Sequence, residues 1–229
     1  MDINLVLKNY PIIFAGFDET LKLVFISLSV GFLISIFFAL GRTSKYKWLS
    51  NIIYSYIFVV RGTPLLVQIY LIYFGLGSIK AVRESIFWII LKEPFYCGIL
   101  ALIINTVAYG SEIIRGGIQS ISSGQKEACK SLGMNNFIMY YKIILPVAFR
   151  QALPAYGNEM ILMVKATSLV SLTTYMEMTG IARNIMAKTF APIEAFVAAG
   201  TIYLFLNFLV VQLIKFLEWK YNPHLRLKS

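Results

Sequence analysis

Long apolar runs alternate along this chain with short stretches that carry charge. A helix needs roughly 20 mostly apolar residues to cross the hydrocarbon core of a bilayer. Runs of that kind cover about residues 20–41, 51–77, 95–118, 150–172 and 195–218, which predicts five membrane-spanning helices. Between the third and fourth lies a stretch of another character, EACKSLGMNNFIMYYKIILP at residues 127–146. Ser122 to Gln125 fits a capping box, so a short helix is predicted to run from there to Leu132. Gly133 suits the left-handed position that ends a helix, with Met134 as the apolar residue after it. Asn135 or Asn136 can cap a second helix through FIMYYKIIL, predicted to stop at Pro146, which cannot continue it. Each helix has about ten residues and is roughly 15 Å long, too short to span. Ala128, Cys129 and Leu132 share a face of the first, and Phe137, Tyr140, Tyr141 and Ile144 a face of the second. Periodicity alone therefore favours an amphipathic hairpin lying on the lipid surface.

Composition strengthens the membrane reading. The chain is 58% hydrophobic and 14% charged, with a mean hydropathy of +0.71; soluble domains are about a quarter charged. Its 229 residues allow one transmembrane domain, and no soluble-domain boundary, low-complexity tract or short repeat interrupts it. The net charge of +10 does not require nucleic acid, because cytoplasmic loops of membrane proteins collect Lys and Arg. Twelve basic residues fall in the 42–50 loop, the 115–150 segment and the tail, among them Arg42, Lys126, Arg150, Lys215, Lys220, Arg226 and Lys228. Seven fall on the other side: Lys8, Lys22, Lys80, Arg83, Lys92, Arg183 and Lys188. The larger set marks the cytoplasm, so the N-terminus is expected outside, the C-terminus inside, and residues 120–146 in the cytoplasm. Asp18 and Glu19 precede the first apolar run and basic residues follow it, the reverse of a cleavable signal peptide. Two distant cysteines, Cys97 and Cys129, and one histidine, His224, give no disulfide framework or HExxH metal site. There is no phosphate-binding glycine loop either. No enzyme, metal or cofactor is expected.

Polar groups inside the predicted spans are costly and carry most of the functional signal. Counting about 1.5 Å per residue places Asn105, Glu159 and Arg61 all near mid-membrane. Asn105, Tyr109 and Glu112 form one stripe at i, i+4, i+7, fit either for hydrogen bonds between helices or for lining a pathway. Glu112 has Arg115 one turn on and is expected to be structural. Glu159 either pairs internally with Arg61 or Lys165, or recognises a cationic group. Thr63-Pro64 marks either a kink or a true break, with Thr63 capping a half-helix whose positive end faces the interior. Pro154 and Gly157 likewise allow irregular backbone in the fourth span.

Glu127-Ala128-Cys129, then Gly133, Ile143 and Leu145-Pro146 at fixed spacing closely resemble the EAA loop of ATP-binding-cassette (ABC) importer permeases. RGTPLLVQ (61–68), NTVAYGSEIIRGGI (105–118), ALPAYGNEMILM (152–163) and KATSL (165–169) extend the resemblance to nearly the whole chain. They are similar to the polar amino acid permease family, most of all to arginine and histidine/lysine/arginine/ornithine importer subunits. Cys129 stands where the family has a second alanine. The resemblance implies an all-α membrane protein of the type I ABC importer permease fold in a bacterial inner membrane. It further implies a cytoplasmic ABC ATPase dimer, a second permease subunit (the same or a sister chain), and an extracytoplasmic amino acid binding protein. The 120–146 loop would couple to the ATPase through Glu127, Ala128, Gly133, Leu145 and Pro146. The substrate pathway would be lined by Glu159, Asn105, Tyr109, Thr63 and Arg61, and the substrate would be a polar, basic amino acid. A permease for neutral polar amino acids such as glutamine or cystine is the alternative within the family. A passive channel is the alternative outside it, although neither a ring of like charges nor a carbonyl filter is visible in the sequence.

Overall fold

The structure is a computed structural model and describes residues 2–221. His224, Arg226 and Lys228 lie outside the described residues. Among those described, all regular structure is helical.

The first helix, α1 (Ile3–Phe14), was not anticipated by the apolar pattern. Asp2 caps it, its Oδ1 accepting from the backbone N–H of Asn4 at 2.9 Å and Leu5 at 3.4 Å. Val6, Asn9 and Ile13 are its buried stripe, while Ile3, Leu7 and Phe14 are exposed. The chain then turns at Gly16 into α2 (Phe17–Arg42), the first predicted span.

The second predicted span is not one continuous helix. It is α3 (Lys47–Gly62) followed by α4 (Leu65–Ser78), with their axes bent by 103° at Thr63-Pro64. Pro64 is extended (φ −62°, ψ 134°) and is itself the N-cap of α4, without a side-chain cap. The Thr63 hydroxyl points the other way and donates to Val59 O at 2.9 Å, so Thr63 closes α3 and does not cap α4. Gln68 closes the break from the α4 side as a donor. Its Nε2 reaches back to Val60 O (2.7 Å), Thr63 O (3.0 Å) and Thr63 Oγ1 (2.8 Å), satisfying groups that the break frees.

Two single helical turns, Lys80–Arg83 and Trp88–Leu91, lead to α5 (Pro94–Gln119). This is the central helix of the bundle and packs against α2, α3 and the fourth predicted span. Small residues make that possible. Gly117 meets the backbone of Ala148, whose carbonyl oxygen a Cβ would strike.

After α5 comes the hairpin. In α6 (Ser123–Ser131) the Ser122 hydroxyl accepts from Gln125 N–H at 3.3 Å, as the capping pattern predicted. Gly133 has φ +74°. Met134 N–H donates to Cys129 O at 3.1 Å and Gly133 N–H to Lys130 O at 2.9 Å, the paired bonds of a Schellman motif. Asn135 caps α7 (Asn136–Met139), its Oδ1 accepting from Ile138 N–H at 2.8 Å.

Pro146 does not end the second helix. A π turn over Tyr140–Ile144 joins α7 directly to α8 (Leu145–Ala166), and Pro146 sits in the first turn of α8. Proline has no N–H to give to the preceding turn, and the wider π turn before it gives the ring room. Residues 136–166 are therefore one rod, from the hairpin into the bundle. Pro154 lies inside α8 without interrupting it, and Glu159 is carried on its C-terminal half. The predicted hairpin faces are also only partly correct. Cys129, Met139 and Ile144 are buried against Ala39, Ile114 and Ile118, whereas Leu132, Phe137 and Tyr141 are exposed.

A 3₁₀ segment (Thr167–Thr173) follows α8, then α9 (Met178–Thr189) and α10 (Pro192–Tyr221). Among the described residues, α2, α5 and α10 are long and apolar enough to cross a membrane, and the bent α3–α4 pair adds a fourth candidate. With 22 residues, α8 is about 33 Å long. Its Arg150, Asn158, Glu159 and Lys165 make it less apolar than those three, as suits a helix that borders a polar interior.

Glu177 is the buried polar group that the sequence reading missed. Fully buried between α9 and α10, it accepts from Tyr203 Oη at 2.5 Å, from Gly180 N–H at 2.9 Å and from Thr20 Oγ1 at 3.4 Å. Burial pushes its carboxyl above the usual range, while the bonds from Tyr203 and the Thr179 and Gly180 backbone oppose that shift. Beside it Tyr175 donates to Glu19. These bonds tie the loop before α9 to α2 and α10. Glu177→Ala is expected to strand buried donors at about 1–3 kcal/mol each and to lower the Tm of the purified protein. Glu177→Gln, which keeps an acceptor, should lose less. Melting curves of the two variants in detergent check this.

Candidate functional site: a polar cavity at the break in the second span

The break between α3 and α4 opens a cavity of about 480 Å³. Arg61, Thr63 and Pro64 border it from the break, Asn105 and Tyr109 from α5, and Glu159, Leu162 and Met163 from α8. All five residues predicted to line a pathway thus meet in one space, though they come from three separate stretches of the chain. Helical spacing puts Asn105 and Tyr109 on the same side of α5. The same periodicity along α8 brings Glu159, Leu162, Met163 and Ala166 to one face.

Glu159 is 6% exposed. Among the described residues its carboxylate makes no hydrogen bond and no ion pair within 4 Å, neither with Lys165 nor with Arg61. Arg61 lies instead over the Tyr109 ring, its guanidinium carbon 4.9 Å from the centroid, an orientation that a cation–π attraction holds. The cavity is therefore lined by both a carboxyl group and a guanidinium that make no ion pair with each other. Asn105 adds an amide that can both donate and accept.

Glu112, the third member of the α5 stripe, is not in the cavity. Arg115 binds it through three hydrogen bonds, the shortest 2.6 Å from Nη2 to Oε2, and Arg42 stands 3.7 Å away. Its structural role was legible from the i, i+3 spacing. Gln68 was quoted within RGTPLLVQ but not singled out; a glutamine four residues after a proline break was the available signal.

At the hairpin, Glu127 and Ala128 are exposed on α6, and Gly133 has open space around it. Phe137 and Tyr141 stack with rings 6.2 Å apart and 4° between planes, and both are exposed, as is Leu132. Leu145 and Pro146 belong to the rod and lie a turn or more beyond this patch.

Membrane-length helices packed around a polar cavity are the architecture of a membrane permease. Residues 31–222 match the family of binding-protein-dependent transport system inner membrane components, and the chain belongs to that family. It is 48% identical over 227 residues to the nopaline transport system permease protein NocM of Agrobacterium fabrum, covering 99% of this chain and 94% of that one. It is 37% identical over 217 residues to the histidine/lysine/arginine/ornithine transport system permease protein HisM of Escherichia coli, covering 94% and 91%. The crystal structure of an amino acid ABC transporter with histidines superposes with a TM-score of 0.84 at 36% identity, covering 96% of this chain and 99% of that chain. The resemblance to polar amino acid ABC permeases is borne out, as is the all-helical permease fold. The protein is a non-catalytic permease subunit and a multi-pass protein of the inner membrane, and its family implies an ATPase and a binding protein as partners.

Proposed function

We propose that this subunit forms half of the translocation pathway of an ATP-driven importer for amino acids or opines that carry a cationic group. The observation that carries this reading is the Glu159 carboxylate, buried against a cavity with no ion pair of its own. A buried charge without a partner is expensive, and a cationic substrate would supply the partner. Arg61 offers the complementary site for a carboxylate, and Asn105 and Tyr109 complete the polar lining. Two relatives transport nopaline and octopine by name, a third histidine, lysine, arginine and ornithine. Arginine, lysine and ornithine bear a side-chain cation, and both opines are arginine derivatives that retain the guanidinium group. Uptake by the reconstituted complex tests this. Arginine, ornithine, octopine or nopaline should compete with a labelled substrate, and glutamine or cystine should not. Competition by the neutral compounds alone would overturn it.

In this reading the chain is one transmembrane domain. Its 120–146 loop, with Glu127, Ala128, Gly133, Leu145 and Pro146, couples to a dimer of ABC ATPases in the cytoplasm. A second permease subunit, identical or a sister chain, completes the pore, and an external binding protein delivers the substrate. The exposed Leu132, Phe137 and Tyr141 support the docking role, since an apolar patch of that kind on a cytoplasmic loop fits a protein partner.

Orientation gives a separate prediction. In a background lacking Cys97 and Cys129, cysteine at position 85 should react with an impermeant thiol reagent in intact cells, and cysteine at position 123 should not. The reverse pattern would invert the topology.

A further inference from the structure

The bend between α3 and α4 frees backbone groups in a definite order. In an α-helix each carbonyl accepts from the N–H four residues on. Val60 O would take its hydrogen from residue 64, and Pro64 has none to give. Thr63 O loses its usual partner as well, because Val67 N–H is bonded to Pro64 O at 3.0 Å. Gln68 stands one turn beyond the proline and answers both losses. Its Nε2 is 2.7 Å from Val60 O and 3.0 Å from Thr63 O. An amide nitrogen carries two hydrogens, enough for both carbonyls. The Thr63 hydroxyl, 2.8 Å away, shares them, its own proton going to Val59 O. The two carbonyls stand on either side of Arg61 in the chain. Residues 61–64 are all exposed where they border the cavity, so packing does little to hold them. By contrast, Ile69, next to Gln68, is fully buried and anchors the start of α4.

We propose that Gln68 is a positioning residue. Its amide hydrogens stand in for the N–H that Pro64 lacks and tie the backbone around Arg61 to the anchored turn of α4. The Arg61 guanidinium is thereby kept over the Tyr109 ring, where it can receive the carboxylate of a substrate. Gln68 does not line the cavity itself. The inference rests on the reading of Arg61 as a carboxylate site.

The test uses the assembled transporter in nanodiscs, without binding protein, and has two readouts. The first is amide hydrogen exchange over residues 59–69, which does not depend on the substrate. Gln68→Met keeps the side chain's length and Gln68→Glu keeps its shape, but neither has the amide hydrogens. Exchange should rise on the order of tenfold in both, the factor that one hydrogen bond supplies. The second is competition against labelled arginine by argininamide, in which a neutral amide replaces the carboxylate. The wild type should prefer arginine by about tenfold. Gln68→Met should lose most of that preference and Arg61→Met all of it. The double variant should be no worse than Arg61→Met, because residues acting through one contact are not additive. Unchanged exchange in either Gln68 variant would overturn the proposal whatever the substrate. So would a preference retained in Gln68→Met, or losses that add in the double variant. A wild type that binds no arginine, or binds both compounds alike, would instead remove the carboxylate site from Arg61, and the proposal with it.

Discussion

Glu159→Gln is expected to reduce uptake of a cationic substrate by about ten- to a hundredfold while leaving uptake of any neutral substrate much less affected. The change keeps the side chain's shape and removes its charge. A hydrogen bond to a charged group contributes about 1.5–3 kcal/mol, and each 1.4 kcal/mol is a factor of ten in affinity. The carboxylate has no ion pair within 4 Å in the described structure, so the substituted amide breaks no internal pair. Arg61 keeps its position over Tyr109. ATP hydrolysis stimulated by the binding protein should change less than uptake, because the cavity is remote in sequence and position from the hairpin. A rival account gives Glu159 only the task of balancing the Arg61 charge. It requires equal losses for cationic and neutral substrates together with a lower Tm. Measuring uptake of one cationic and one neutral amino acid beside the melting curve separates them, and equal losses with a depressed Tm would remove Glu159 from recognition.

How legible this was depended on the range of the interactions concerned. Local signals were readable. The Ser122 cap, the left-handed Gly133, the Asn135 cap and the Glu112–Arg115 pair each span three or four residues, and each is present in the structure. The break at Thr63-Pro64 was readable for the same reason, because proline removes a donor wherever it stands. Its geometry was not, since a bend of 103° and the return of Gln68 to Val60 depend on what packs around the break. Pro146 shows the limit of a local rule most clearly. Sequence alone gives proline as a stop, but tertiary contacts of Met139, Ile144 and Ala148 with α2 and α5 hold the chain helical on both sides, and a π turn absorbs the mismatch. The cavity itself joins residues 61, 105 and 159. Depth counting placed all three near one level of the membrane, yet could not say that they face the same space. Glu177 gave no periodic signal. It stands alone in a short connection, and two of its three donors are 26 and 157 residues away.

Gly133→Val is expected to uncouple ATP hydrolysis from transport while the chain still inserts. The continuity of 136–166 explains why a surface turn should have such reach. The hairpin's second helix and the helix bearing Glu159 are one rod, so the angle at which the hairpin is held sets the position of that rod's N-terminal end. Gly133 fixes the angle through φ +74° and the two bonds of its turn. A Cβ at this position would meet no neighbour within 4 Å, so the valine would not clash with other parts of the bundle. Its cost is conformational: a left-handed residue with a Cβ costs roughly 1–2 kcal/mol, and β-branching makes that region a true outlier. Losing the turn would free α6 and its Glu127 from the fixed relation to Phe137 and Tyr141. Gly133→Asn should behave differently, because asparagine enters the left-handed region more readily. The measurement is substrate transported per ATP hydrolysed by the reconstituted complex, beside co-purification of the ATPase. The valine variant should lose coupling several-fold and retain less ATPase, with asparagine intermediate. Normal coupling in Gly133→Val would show that the turn carries no part of the signal between the ATPase and the cavity.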